Sequence, residues 1–510
     1  MRVAGTALFA LVLVVAALPA RDEPRKEELL QAINRQLRTA RETAGPAVAS
    51  VVVSRSDRYP KSGTADQPGK LGGYDPKEFL RGHPGEDGLA RDLDLSRADN
   101  IPDHGSACGV VIDASGLVLT PYHVVDGATK VYVYLPGRSG SYADVYAADG
   151  RYDLAVLKLL TPPDGLTPLK FANLRLNAVG ATSPGPRDPD RPLELVVLMA
   201  NAGPNKPLSV LGEITSVRRP PDDRPKDFLP SSSYYFFGPF LELLPILNRE
   251  NKAGGGVSGA AVLNLNGELV GLTTSAAAIG EAAAQSAFPA DDNFRRVVEV
   301  LRRGEEVNAG YIGIRLNDPA NQLHIKDVTP RGPADKAGIQ PDDVIVRIKD
   351  VPVTSYNQLL FYLGGALADS KVKLGVARRL RDGEVIDRDV VVTLGKFRHT
   401  QPVIASVRAD PVFGLRVDYG CLLAQGDAAI SNTPCPPGVW ARELVPDSPA
   451  AAAFKKLGDG AHLWVVTHVN GAAVNTPAEF YRAAKGKPAV KLTVLDATAG
   501  NGKEREVTLP

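Results

Sequence analysis

Cysteine is scarce: Cys108, Cys421 and Cys435 are the three in a chain of 510 residues. So few exclude a scaffold held together by disulfides, and their spacing offers no metal-ligand set. Charge of one sign is missing too. Lysine plus arginine (59) nearly cancels aspartate plus glutamate (58), with no long block of either, so composition makes no case for nucleic acid as a partner. No Gly-x-x-x-x-Gly-Lys-Ser/Thr run occurs, which removes that ATP-binding loop. No metal or organic cofactor is implied.

Glycine (49) and proline (41) are plentiful, which favours short strands and many turns over long helical bundles. With 44% hydrophobic residues the chain can bury several cores, and a chain this long divides into about three domains. Arg2, the apolar run from Val3 to Ala20 and the small residues Ala16, Ala17 and Ala20 read as a secretory signal peptide over 1–20. An uncleaved membrane anchor is the competing reading, because the run just reaches the roughly 18 residues that a spanning helix needs. Either reading places the remainder outside the cytosol. Residues 21–43 form a helical segment with Leu30, Ile33 and Leu37 on one stripe. A β-branched strand follows over Pro46 to Ser54, and then a Gly-, Pro- and Asp-rich insertion over 55–104 with little periodicity.

Three later stretches carry the chemistry. The first is Gly254-Gly255-Gly256-Val257-Ser258-Gly259, followed by a strand, an Asn-Gly turn and a second strand ending in Leu272-Thr273-Thr274. Glycines around one serine let a ligand approach the backbone, and the amides of Gly256 and Ser258 could point at one oxyanion. In isolation a flexible turn before a hairpin accounts for it equally well. The second is a hairpin, Gly109–Asp113 and Leu117–Thr120, that delivers Pro121-Tyr122-His123-Val124-Val125. The third, thirty positions beyond His123, is Asp153 at the head of the apolar run Leu154 to Leu159. Alone, His123 reads as a packed or exposed ring and Asp153 as a strand-start carboxylate.

Taken together, the ordered His123, Asp153 and Ser258 with these neighbours resemble the trypsin-like serine proteases of the HtrA (Deg) family. The resemblance implies a mostly β fold: a chymotrypsin/trypsin-like double β-barrel protease domain over 44–286, then a helical linker over 287–307. Ser258 would be the nucleophile, His123 the general base and then acid, and Asp153 the residue that orients the imidazole. Gly256 and Ser258 would supply the oxyanion hole, and Leu272, Thr273 and Thr274 the strand on which substrate pairs. No carboxylate stands there to receive a basic side chain, so a small apolar residue before the scissile bond is expected. Three departures stand out: Val257 where the family has asparagine, Ala260 where it has glycine, and Pro121 where it has asparagine.

The C-terminal third repeats itself. Tyr311-Ile312-Gly313-Ile314, Thr329-Pro330-Arg331-Gly332-Pro333-Ala334 and a helix from Tyr356 to Leu363 recur as Val412-Phe413-Gly414-Leu415, Pro446-Asp447-Ser448-Pro449-Ala450 and a helix from Pro477 to Ala484. Both copies resemble PDZ domains, here over 308–396 and 409–510, of α+β type. Amides around Ile312, Gly313 and Ile314, and around Phe413, Gly414 and Leu415, would hold a peptide C-terminus. Two structural modules that bind nothing are the alternative. The second copy carries an insertion, Tyr419 to Pro437, where a Cys421–Cys435 disulfide is expected because export permits one and little else holds the segment, with three free buried cysteines as the alternative. By resemblance the chain would be an ATP-independent endoprotease of unfolded or damaged proteins, exported to the periplasm and assembled as a homo-oligomer, a trimer or a multiple of one. The other class is a protease-like protein that binds clients without cleaving them.

Overall fold

The computed structural model describes residues 23–55, 95–96, 106–174, 194–201, 207–218, 240–245, 258–274, 285–317, 323–398, 403–425, 433–458, 462–499 and 503–510. The apolar N-terminal run, nearly all of the 55–104 insertion, and Gly256 and Val257 lie outside them. Two compact units result, one of residues up to Glu306 with 403–406, the other of 307–402 and 407–510. Among the described residues no helix is long and apolar enough to cross a membrane.

The first unit is built on two closed six-stranded barrels. It begins with helix α1 (Glu23–Ala44), whose inward stripe is Ile33, Leu37, Ala40 and Ala44, so the apolar face runs further toward the C-terminus than the sequence periodicity indicates. Strands β1 (Val48–Ser54), β2 (Ser106–Asp113), β3 (Leu117–Pro121), β4 (Lys130–Tyr134), β5 (Ser141–Asp149) and β6 (Leu154–Leu159) follow. Their order is β5-β4-β1-β2-β3-β6, and β5 pairs with β6 to close the barrel. All seven residues of β1 are buried, as expected of a β-branched run paired on both edges. A short strand, Ile404–Ala405, adds to β5 at Ala147 and Ala148.

The second barrel comprises β7 (Glu194–Asn201), β8 (Pro207–Arg218), β9 (Phe240–Pro245), β10 (Ala261–Leu263), β11 (Leu269–Thr274) and β12 (Gln285–Pro289), closed in the order β10-β11-β12-β9-β8-β7. The Asn-Gly turn between β10 and β11 forms as its residues dictate. Asn264 Oδ1 accepts from the amides of Asn266 and Glu268 at 3.0 and 2.9 Å, and Gly267 takes φ +80°. A one-turn helix α2 (Tyr122–Val125) follows β3, and α3 (Asp292–Arg302) closes the unit, capped by Asp291, which accepts from the Phe294 amide.

The second unit contains two modules of like order. In the first, a sheet of Val351–Pro352, Val344–Ile348, Lys371–Arg379 and Val385–Thr393 packs with α4 (Pro333–Lys336) and α5 (Tyr356–Leu363) around Ile325, Ile345, Leu359 and Leu374. In the second, Leu415–Tyr419, Val439–Leu444, Trp464–Val469, Val490–Asp496 and Arg505–Leu509 lie side by side in that order. Helices α6 (Pro449–Lys455) and α7 (Pro477–Ala484) cover them through Phe454 and Phe480.

The insertion of the second module binds the first. Lys396 and Asp418, both nearly fully buried, pair at 2.9 Å, and Arg442 reaches the same carboxylate. Gln425 Nε2 donates to Lys396 O (2.8 Å) and Cys421 O (3.1 Å), while the Arg398 amide donates to Gln425 Oε1 at 2.8 Å. These contacts correct the expected disulfide: all three cysteines are unlinked thiols. Cys421 Sγ faces Lys396 O at 3.5 Å, and the Cys435 amide donates to Pro330 O at 2.9 Å. Cys421, Gln425 and Cys435 are thus held by contacts to the neighbouring module.

Candidate active site

The site lies where α2, the turn before β6 and the loop before β10 meet. Asp153 ties the histidine turn down at three points. Its carbonyl accepts from the Tyr122 amide (2.9 Å), its Oδ1 from the His123 amide (2.7 Å), and its Oδ2 lies 2.6 Å from His123 Nδ1. Asp153 is fully buried and sits at φ +50°, a conformation that few residues other than glycine adopt and that aspartate tolerates better than most. Pro121 precedes the turn at φ −62°, the value its ring prefers, so the proline fits its place without strain. Arg55 braces the far end, donating to Val124 O (2.9 Å) and Asp126 O (3.0 Å).

His123 Nε2 stands 3.0 Å from Ser258 Oγ. A carboxylate can only accept, so the proton of a neutral imidazole sits on Nδ1 and Nε2 turns a lone pair toward the serine hydroxyl. Both separations fall within hydrogen-bond reach for a nucleophile, its base and the group that orients the base. The ring keeps about a fifth of its surface exposed, 22%, so the pair remains open on one side.

Ser258 is held from behind. The Cys108 amide donates to Ser258 O at 2.7 Å, and Thr120 Oγ1 donates to Cys108 O at 2.8 Å. Burial pushes the Cys108 thiol up to about 12, and its Sγ accepts from the Asn201 amide at 3.1 Å. Gly259 adopts φ +81°, and a Cβ there would stand 1.9 Å from Cys108 O, which only glycine avoids. Ala260 has no positive φ and packs against Cys108 and Ala200, so the alanine is accommodated. Thr274 Oγ1 donates to Asp153 Oδ2 at 3.2 Å. Thr274, Cys108 and Arg55 were not evident as supports of this site, because each acts from another strand through contacts that spacing does not reveal.

Comparison with known proteins agrees with this geometry. Residues 107–272 match the trypsin-like peptidase domain and residues 310–392 the PDZ domain. The chain is 26% identical over 472 residues to the periplasmic pH-dependent serine endoprotease DegQ of Escherichia coli (strain K12), covering 89% of this chain and 87% of that protein. It is 28% identical over 400 residues to the periplasmic serine endoprotease DegP of the same organism, covering 75% and 72%. A solved structure, the HtrA-type protease AlgW with decapeptide, is similar over 70% of this chain and 98% of its own, at 19% identity and TM-score 0.42. The two matched domains and these relatives support an HtrA/Deg family serine protease with a PDZ domain.

Two expectations for this chain need correction. Leu272 and Thr273 cannot be the strand on which substrate pairs. Leu272 is flanked by Ala261 and Phe288, and the main chain of Thr273 is taken by the serine loop, with Gly259 N–H to Thr273 O (2.8 Å) and Thr273 N–H to Ala260 O (2.9 Å). A closed barrel leaves those positions no open edge. Thr274 is the first residue beyond them; Gly256, the other expected oxyanion donor, lies outside the described residues.

The second correction concerns the peptide loops. In the first module Ile312 O accepts from Ala334 N–H and Gly313 O from Thr329 N–H, both at 2.9 Å. A trans peptide points its N–H opposite its C=O, so the amides of Gly313 and Ile314 turn away from those partners, as a carboxylate site requires. The second module repeats the pattern with Phe413 O to Ala450 N–H (3.0 Å) and Gly414 O to Val445 N–H (2.8 Å). There the Leu415 amide is already spent, donating to Val412 O at 2.8 Å.

Proposed function

We propose that this chain is an exported serine endoprotease of unfolded or damaged proteins, with Ser258 as nucleophile, His123 as general base and acid, and Asp153 as the orienting carboxylate. The observation that carries the reading is the continuous chain Asp153 Oδ2–Nδ1 His123 Nε2–Oγ Ser258, at 2.6 and 3.0 Å. As Ser258 Oγ attacks a peptide carbonyl, its proton passes to Nε2, and the buried Asp153 stabilises the resulting imidazolium. The same proton then goes to the leaving amine, and a water molecule repeats the sequence to release the acyl group. The amides of Gly256 and Ser258 would receive the oxyanion; removing one such donor costs about a hundred- to a thousandfold in turnover.

The location follows from the apolar N-terminal run together with relatives named as periplasmic. The first PDZ module offers the Gly313 and Ile314 amides to a peptide C-terminus, with the Ile312–Ile314 segment adding the peptide as a strand. The second module contributes less, because its Leu415 amide is occupied. Assembly into a homo-oligomer belongs to the same reading, and sedimentation of the full chain tests it. Incubation of the purified full chain and its Ser258→Ala form with unfolded casein tests the chemistry. Cleavage by the first and not the second supports it; an intact substrate with both, together with no labelling of Ser258 by a fluorophosphonate, overturns it.

A further inference from the structure

We infer that the Thr273 hydroxyl is a positioning group for the nucleophile, holding the loop that carries Ser258 through the amide of Ala260. This rests on the proposed role of Ser258 and adds a residue to that site. Gly259, at φ +81°, turns its own amide to Thr273 O (2.8 Å). That takes the carbonyl which a regular ladder could offer to the next amide, so Ala260 N–H is left without that main-chain acceptor. Thr273 Oγ1 accepts it at 2.9 Å. Thr273 is 2% exposed and Ala260 5%, so no solvent can substitute for the hydroxyl. The bond lies two residues from Ser258, whose own carbonyl is held by the Cys108 amide.

The neighbouring residue shows why the side chain matters separately from the strand. Successive side chains of β11 point to opposite faces. Thr274 donates to Asp153, while Thr273 accepts from the serine loop, so adjacent threonines brace the two ends of the Asp153–His123–Ser258 chain. An aliphatic residue at 273 would preserve both main-chain bonds and leave Ala260 N–H buried and unpaired. The loop must then shift to pair it, and Ser258 moves with the loop.

Thr273→Val is the isosteric test, made in the full chain and compared with Thr273→Ser, wild type and Ser258→Ala on unfolded casein. The expected result is a fall in kcat of about ten- to a hundredfold, since about 1 Å of misplacement costs about a hundredfold. KM should stay within about twofold, the pattern of an interaction that serves the transition state. The serine variant, which retains the hydroxyl, should restore most of the rate. Hydrogen exchange at the Ala260 amide supplies a readout independent of turnover: it should quicken in Thr273→Val and not in Thr273→Ser. Unchanged kcat or unchanged Ala260 exchange in the valine variant overturns the inference, as does a serine variant no better than valine. If the valine variant does not fold, Thr273→Cys against Thr273→Ser decides, because sulfur is a weak acceptor; equal rates and equal Ala260 exchange in that pair refute it. A wild type that cleaves nothing sinks the protease reading, while the exchange result still decides the role of Thr273.

Discussion

Gly259→Ala tests how closely the serine loop is fitted to the first barrel. The added Cβ would stand 1.9 Å from Cys108 O, whereas real Cβ atoms essentially never approach within 3.0 Å, so about 1 Å of separation must be found. The obstructing atom is a main-chain oxygen in the middle of β2, and that oxygen also accepts from Thr120. It cannot swing away as a side chain would. Alanine at φ +81° adds about 1–2 kcal/mol of left-handed strain, and forced overpacking adds about 1–3 kcal/mol. The total is about 2–5 kcal/mol, a large share of the stability of a typical domain.

Cys108 is fixed in the β1–β2 ladder, so the shift falls on Ser258 and breaks the 2.7 Å bond from the Cys108 amide. Moving Ser258 Oγ by about 1 Å from His123 Nε2 should cost a hundredfold or so in the rate of acylation. The assay is the second-order rate of fluorophosphonate labelling, with thermal unfolding followed on the same sample. Labelling at the wild-type rate, or an unchanged melting temperature, refutes the argument. Substituting the Cys108 side chain should not rescue the variant, because the clash is with its carbonyl.

Asp153→Asn should keep the fold but lower turnover by about ten-thousandfold, because an amide can donate to His123 and favour the wrong tautomer; casein turnover checks this. Asp418→Ala should destabilise the second unit by about 3–5 kcal/mol, because it removes the buried carboxylate that pairs with Lys396 at 2.9 Å, as measured by urea unfolding. Lys396→Met should cost less in the same assay, since Arg442 still serves Asp418. Burial pushes the Cys421 thiol up to about 12 and Cys435 up to about 11, so native protein at pH 8 should alkylate slowly, the thiolate being the reactive form. Unfolded without reductant, the protein should yield three titratable thiols, and a linked 421–435 peptide pair would contradict that.

Local signals were read with most success. The helices Tyr356–Leu363 and Pro477–Ala484 span the residues expected of them, each after a side-chain cap, Ser355 and Thr476. His123, Asp153 and Ser258 were legible because each sits in a short stretch with a recognisable neighbourhood, and the structure brings those three together. What failed was non-local. Nothing in Leu272-Thr273-Thr274 tells that both edges of the strand are occupied up to Thr273, since closure of the barrel by β12 and the serine loop decides that. The cysteine pair was misread for a related reason. Thirteen intervening residues set a loop length, but the anchor of that loop is Lys396, in the other module.

The two loop copies show the same limit in a sharper form. Ile312-Gly313-Ile314 and Phe413-Gly414-Leu415 share the pattern of apolar residue, glycine, apolar residue, and their inward carbonyls find equivalent partners. They part at one torsion. Phe413 adopts φ +50° ahead of Gly414 at +93°, which folds Val412 and Leu415 into a closed two-residue turn with reciprocal bonds of 2.9 and 2.8 Å. Ile312 takes no positive φ, so the first loop stays open although Gly313 is at +80°. A positive φ at a bulky aromatic residue costs free energy that the reciprocal pair of bonds offsets. The capacity to hold a carboxylate therefore depends on a backbone choice at the residue before the glycine, and side-chain class alone does not encode it.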